Sequence, residues 1–315
     1  SSDQATNTVV DSGDWSDPSV WENGTLPVEG ARIIVPQGMT LTVDSVIPTQ
    51  FKTLGVHGTL RFATDVDTEL RVDTIVSAPH GRFEMGTAAN PIATNVTAKV
   101  VFADDGAIDT SWDPEQLSRG AVLQGTIEIH GAETTHRVTL DSFPAAGATS
   151  VQLSSVPVNW NAGDEIVITG TQGSTSDEVR TVQSIDGTTD PLQLEHIPPQ
   201  SDLNVYVANK TRNVQFSSEN TEVARRGHIM LMHTLDANIH NAEFSELGRT
   251  DKNRELDDLI FEFPDDAVGN FTSAPTVYSV TSGERTNVRG RYPVHFHRGG
   301  VDPGSPPATI AGSVV

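Results

Sequence analysis

The chain has 315 residues, 36% hydrophobic and 20% charged, enough apolar side chain for one large all-β body or two ordinary domains and too much for a disordered chain. A formal charge of −22 argues against nonspecific nucleic-acid binding through phosphate neutralisation. The absence of cysteine excludes a disulfide framework, a thiolate zinc site and a cysteine nucleophile.

No apolar run reaches the roughly 20 residues that a membrane-crossing helix needs. The opening SSDQATNTVV reads as a mature or trimmed N-terminus. The acidity fits a well-solvated extracellular or high-salt protein, and the Asn-X-Ser/Thr sequons at Asn23, Asn95, Asn209 and Asn270 suggest export in a host that glycosylates. Charge is unevenly placed: residues 1–208 carry 9 Lys and Arg against 28 Asp and Glu, whereas residues 209–298 carry 11 against 13. Five of the ten histidines also lie beyond residue 227, so chemistry is expected in that last third.

In chain order, short β-branched and Leu-rich runs alternate with Gly, Pro, Asn and Asp. They predict strands at Arg32–Val35, Leu41–Val43, Thr59–Phe62, Glu69–Val72, Lys99–Phe102, Thr126–Ile129, Ser150–Leu153 and Glu165–Thr169. Glycines before such runs (Gly55, Gly58, Gly81, Gly120, Gly125) supply corners. Residues 137–208 hold hairpin-like runs, among them Asp177–Val182 and Leu192–His196, that predict a small inserted antiparallel subdomain.

Beyond it the pattern repeats. His228–His233 precedes Ala237–Phe244, and Pro293–His297 precedes Ala308–Val315, with Ala237-Asn-Ile matching Ala308-Thr-Ile. Stacked passes of a parallel β-helix, or solenoid, produce such a repeat. One short helix is expected within Glu255–Phe263. The apolar ending at Val315, with no polar cap, predicts that this is the N-terminal piece of something longer.

Several strings carry a specific likeness: Val20-Trp21-Glu-Asn-Gly24, Leu41-Thr-Val-Asp44, Leu54-Gly-Val-His-Gly-Thr-Leu60, Trp160–Ile168, Leu247-Gly-Arg-Thr-Asp-Lys252 and Gly290-Arg-Tyr-Pro-Val-His-Phe-His297. From Trp15 to His297 the chain resembles the G8-domain family, which includes the cell-migration-inducing hyaluronan-binding protein, its transmembrane hyaluronidase relative and fibrocystin. Residues Asn253–Val288 depart from that likeness as an inserted loop. The resemblance implies an all-β fold with a G8-like module over 10–136, an antiparallel β subdomain over 137–208 and the start of a parallel β-helix over 209–315. It also implies a secreted or cell-surface protein of carbohydrate biology, acting on a hyaluronan-like polysaccharide.

Candidate chemistry sits on two strings. His295 and His297 are two apart, so on a strand both imidazoles leave one face, and His228, Met230 and Met232 share a face on the earlier equivalent strand. Stacked in register, His228, His295 and His297 would form a set for one divalent metal (zinc, copper or calcium), or His295 and His297 would serve in acid–base chemistry. The bland alternative has Met230 and Met232 as core and the histidines as a surface ladder.

Arg249, Asp251 and Lys252 follow a glycine corner. Arg249, with Lys252, Arg291 and Tyr292, is expected to grip an anionic sugar. Hydrolysis needs two carboxylates, for which Glu243 and Asp251 are the nearest candidates, with Asp257 and Asp258 behind them. Elimination instead needs a cation and a base, roles open to Arg249 and to His295 or His297. The rival class is a noncatalytic carbohydrate-binding or adhesion module. Trp15, Trp21, Trp112 and Trp160 are expected as buried anchors rather than sugar platforms.

Overall fold

The structure is a computed structural model that describes residues 4–113, 115–170, 177–185, 188–189, 196, 203–257, 259–262, 276–279, 286–299 and 307–315. Its strands follow the two-residue alternation of the sequence. In Arg32–Val35, Thr40–Val43 and Thr59–Phe62, the side chains of Ile33, Val35, Leu41, Val43, Leu60 and Phe62 are fully buried, and the residues between them face outward.

The protein is all-β with parallel sheets. One parallel series runs Asn7–Thr8, Arg32–Val35, Val46–Val56, Thr68–Ser77, Gly120–Leu123, Ile229–Met232 and Val294–His297, each strand hydrogen-bonded to the next. A second runs Gly13–Asp14, Thr40–Val43, Thr59–Phe62, Arg82–Met85, Thr126–His130, Ala237–His240 and Thr309–Ala311. The first half of Thr68–Ser77 also pairs with Ala98–Phe102, which continues through Val214–Ser218 to Ala242–Ser245.

The inner faces of these strands form one apolar core. Within it Phe62, Phe83, Phe216 and Phe244 follow one another with ring centroids 6.0, 6.2 and 5.2 Å apart. The turn into Thr126–His130 requires glycine: Gly125 has φ of 74°, and a Cβ there would lie 2.2 Å from the Gly81 carbonyl oxygen.

Strands Arg137–Thr139, Tyr206–Asn209, Glu165–Ile168, Glu178–Ser184 and Thr188–Thr189 make a separate antiparallel sheet. Val138, Ile166, Ile168, Val205, Val207 and Trp160 give it a second core. His196 is buried beside it, its Nδ1 3.0 Å from the Thr169 carbonyl and its Nε2 3.1 Å from the Glu178 carboxylate. Of the run Leu192–His196, the other four residues lie outside the described residues.

The strands of the C-terminal repeat pair as the matched strings do: Ile229 with Val294, Asn238 with Thr309 and Ile239 with Ile310. Three local expectations are corrected. The helix over Glu255–Phe263 is replaced by a strand, Leu259–Glu262, paired antiparallel with Thr276–Ser279. Ile and Phe have high strand propensity, and an isolated helical turn is costly to nucleate. Ser150–Leu153 forms no strand, only a single antiparallel bridge between Leu153 and Leu140. Asn209 is buried and donates its amide to Asp164 at 2.7 Å, so its sequon is closed in the folded chain.

Candidate functional site

Register places the C-terminal histidines. Ile34, Gly55, Val76, Val122, Met230 and His295 pair in succession, strand by strand, along one row of the first parallel series. Met232 pairs with His297 one step along. The half-buried His295 and His297 therefore leave the same face as the methionines, with ring centroids 5.3 Å apart.

Other rings extend the row. Tyr292 stands edge-on to His295 at 5.4 Å, the exposed His233 lies 6.4 Å from His297, and the Lys252 ammonium lies over the Tyr292 ring at 5.8 Å. His295 keeps its orientation through Nδ1, 3.0 Å from the Gly290 carbonyl. Desolvation, then the neighbouring His295, Arg298, His233 and Arg291, hold the His297 imidazole below its ordinary range, which favours its neutral form.

His228 does not join this pair. It precedes the paired residues by one alternation step, so it sits nearest Pro293, and it is wholly buried. Its Nδ1 is 3.1 Å from both the Arg119 carbonyl and an Arg249 Nη, and its Nε2 is buried with no partner among the described residues. Burial, reinforced by Arg249 and Arg291, pushes its pKa well down and fixes it as a neutral imidazole. Among the described residues no group of three His, Cys, Asp or Glu is arranged to hold a metal ion. The predicted trio of His228, His295 and His297 is thus not arranged as a metal set: His228 shares the alternation parity of Met230 and His295, but packing against Arg119 and Arg249 buries it.

The arginines also turn inward. Arg249 is 6% exposed; one Nη reaches the carbonyls of Arg119 at 2.9 Å and Arg226 at 3.1 Å, and the other reaches Ser118 at 2.8 Å and Gln116. Arg291 is similarly buried, its Nε 2.9 Å from the Gln116 carbonyl and another nitrogen on that of Glu115. Arg119 completes the group by pairing with Asp104 at 3.0 Å. Three buried guanidiniums thereby clasp the 104–119 loop to the sheet. Desolvation and the two neighbouring cations push the Arg249 pKa down to about 9. The expected grip of Arg249 and Arg291 on a sugar is replaced by a grip on backbone carbonyls, the acceptors that a loop crossing a sheet leaves unpaired.

The carboxylate candidates separate as well. Asp251 accepts from the Asn253 N–H at 2.9 Å and caps its own turn. That turn is held by buried Asn287, whose amide donates to the carbonyls of Asp251, Arg254 and Glu255 at 2.9, 3.1 and 3.0 Å. Asp257 accepts from Thr286 and Asn287, bonds that keep it ionised, and Asp258 lies outside the described residues. Glu243 is on Ala242–Ser245, bridged to Val314, where burial raises its pKa. Among the described residues neither Glu243 nor Asp251 is hydrogen-bonded to His295 or His297.

Sequence reading missed Asn287 and His233. Nothing about a lone Asn in an insertion distinguishes it. His233 was visible at the end of His228–His233, but only its positive φ of 54° swings it onto the histidine face.

Residues 20–141 match the family model for the G8 domain. The G8 part of the likeness is supported. Over 304 residues the chain is 25% identical to a G8 domain-containing protein of Dictyostelium discoideum, covering 90% of this chain and 23% of that protein. It is 27% identical over 158 residues to human fibrocystin-L, covering 50% of this chain and 4% of the relative. It is 28% identical over 177 residues to mouse fibrocystin, covering 54% and 4%. The chain thus spans less than a quarter of the length of these relatives.

Proposed function

We propose that this chain is part of a secreted or cell-surface glycan-active protein that binds a uronate-containing, hyaluronan-like polysaccharide at the face bearing His295 and His297, and cleaves it there. In this reading the three parallel series are the faces of a β-solenoid. The G8 module covers roughly residues 10–136, the antiparallel subdomain is inserted over 137–208, and the solenoid continues from 209. The observation that carries the reading is the row Lys252, Tyr292, His295, His297 and His233, a cluster of rings and cations on a chain of formal charge −22. A polyanion needs such a patch because the rest of the molecule repels it.

The chemistry favoured is elimination. A neutral imidazole takes the proton from the carbon next to the uronate carboxyl while cations neutralise the developing charge; a C4–C5 double bond forms as the C4–O glycosidic bond breaks, and the departing oxygen takes a proton from the imidazolium or from water. That role falls to His297, whose surroundings favour the neutral form. Arg249, Arg291 and His228 act behind it by holding the loop and strand in place. The test incubates the complete polypeptide with hyaluronan, chondroitin, alginate and polygalacturonate, following reducing ends and ultraviolet absorbance of an unsaturated product. Turnover abolished by His297→Ala but not by Glu243→Gln supports the proposal. Binding without turnover assigns the protein to the adhesion class, and no interaction with any polyanion overturns both.

A further inference from the structure

Trp112 behaves unlike the other tryptophans. Trp15, Trp21 and Trp160 are 3, 1 and 7% exposed and act as the anchors expected of them, whereas Trp112 is 67% exposed. It lies in the 104–119 loop and lines a cavity of about 750 Å³, a size within the usual range for small-ligand sites. The opposite wall is the outer face of the first parallel series, where Ile34, Gly55 and Val76 pair across three neighbouring strands.

The walls are held before any ligand arrives. Lys52 bridges Asp105 at 2.9 Å and Asp73 at 3.7 Å, and Thr74 receives the Arg119 N–H at 2.9 Å. Asp113 ties the loop to itself through the N–H groups of Leu117 and Ser118, at 2.9 and 2.8 Å. The cations lining the cavity (Arg32, Lys52 and Arg119) are matched by carboxylates (Asp73, Asp105 and Asp109). The site therefore offers no net attraction to a polyanion, and the charge of the whole chain adds repulsion.

An open aromatic face, an apolar floor and a charge-balanced set of carboxylates and ammonium suit a ring with an apolar face and a hydroxyl edge. We infer that the cavity under the 104–119 loop is a binding site for an uncharged oligosaccharide, on the same outer face as the histidines but separated from His295 along the row by Val122 and Met230, and independent of their proposed chemistry. The sugar's C–H face lies on Trp112, and its hydroxyls exchange hydrogen bonds with Asp73, Asp105 and Lys52.

Because the other three indoles are buried, tryptophan emission reports this site. The full chain is titrated with uncharged oligosaccharides (cello-, manno-, xylo- and chito-oligomers) and, separately, with oligogalacturonate and hyaluronan oligomers, with calorimetry in parallel. A saturable shift with at least one uncharged oligomer is expected. In Trp112→Ala the calorimetric affinity falls by about tenfold or more. Val76→Arg, at a 44% exposed position on the floor, produces the same loss while keeping the indole as reporter. His297→Ala leaves the titration unchanged, which separates this site from the histidine cluster. No response to any uncharged oligomer, a response to the anionic ones alone, or undiminished binding in both variants overturns the inference.

Discussion

Replacing Arg249 tests the clasp directly. In Arg249→Ala five contacts vanish, but their losses differ. The Arg119 carbonyl keeps the His228 Nδ1 at 3.1 Å, and the Gln116 carbonyl keeps the Arg291 Nε at 2.9 Å. The carbonyls of Ser118 and Arg226 lose the partner that reached them at 2.8 and 3.1 Å. At about 1–3 kcal/mol for each buried acceptor left unsatisfied, the expected cost is roughly 4 kcal/mol. Removing a buried cation beside Arg291 and Arg119 offsets part of that, leaving about 3 kcal/mol.

The assay is urea unfolding followed by circular dichroism, together with limited proteolysis aimed at the 104–119 loop. The midpoint is expected to fall at unchanged slope, with the loop becoming the first site cut. Arg249→Lys should recover less than half of the loss, since a single ammonium does not span the carbonyls on both sides. A cost under about 1 kcal/mol, with an uncut loop, would refute the assignment of Arg249 to structure.

Gly120→Ala should be more damaging than its size suggests. The added Cβ would sit 2.2 Å from the His228 carbonyl oxygen and 2.9 Å from its backbone nitrogen, so strand Ile229–Met232 must shift; a loss of about 2–3 kcal/mol in the same urea assay checks this. The buried neutral His228 sets a pH dependence. Its folded pKa lies below its unfolded one, so the unfolded chain takes up the proton first and stability falls as pH drops below about 6.5, by up to roughly 1.4 kcal/mol per pH unit. His228→Asn should flatten that slope between pH 6.5 and 5 (about one proton's worth), as read from urea midpoints. Phe216→Ala, which removes the ring between Phe83 and Phe244, should cost about 3–5 kcal/mol in thermal or urea melts.

Much of the architecture was readable because strand formation is local. Alternation at Arg32–Val35 or Thr59–Phe62 specifies an inner and an outer face before any partner is known. The matched strings Ala237–Ile239 and Ala308–Ile310 announced strands that pair, and three of the strings that carry the G8 likeness, Val20–Gly24, Leu41–Asp44 and Leu54–Leu60, lie within the matched 20–141 segment. Leu259–Glu262 was harder, since three apolar residues before a glutamate read equally well as helix or strand until Thr276–Ser279 lies beside them.

Side-chain destiny was another matter. Nothing in Leu247–Lys252 distinguishes an arginine that holds a sugar from one that holds four backbone carbonyls, because the carbonyls of Gln116 and Ser118 lie more than a hundred residues away. Likewise the spacing of His228 to Met232 fixed which side chains share a face, yet only packing against Arg119 and Arg249 made His228 interior while His295 stayed half-exposed. Alternation is a property of one strand and is written in its own residues. Burial depends on what the rest of the chain lays over that strand, so it was decided only when the 104–119 loop came down on the sheet.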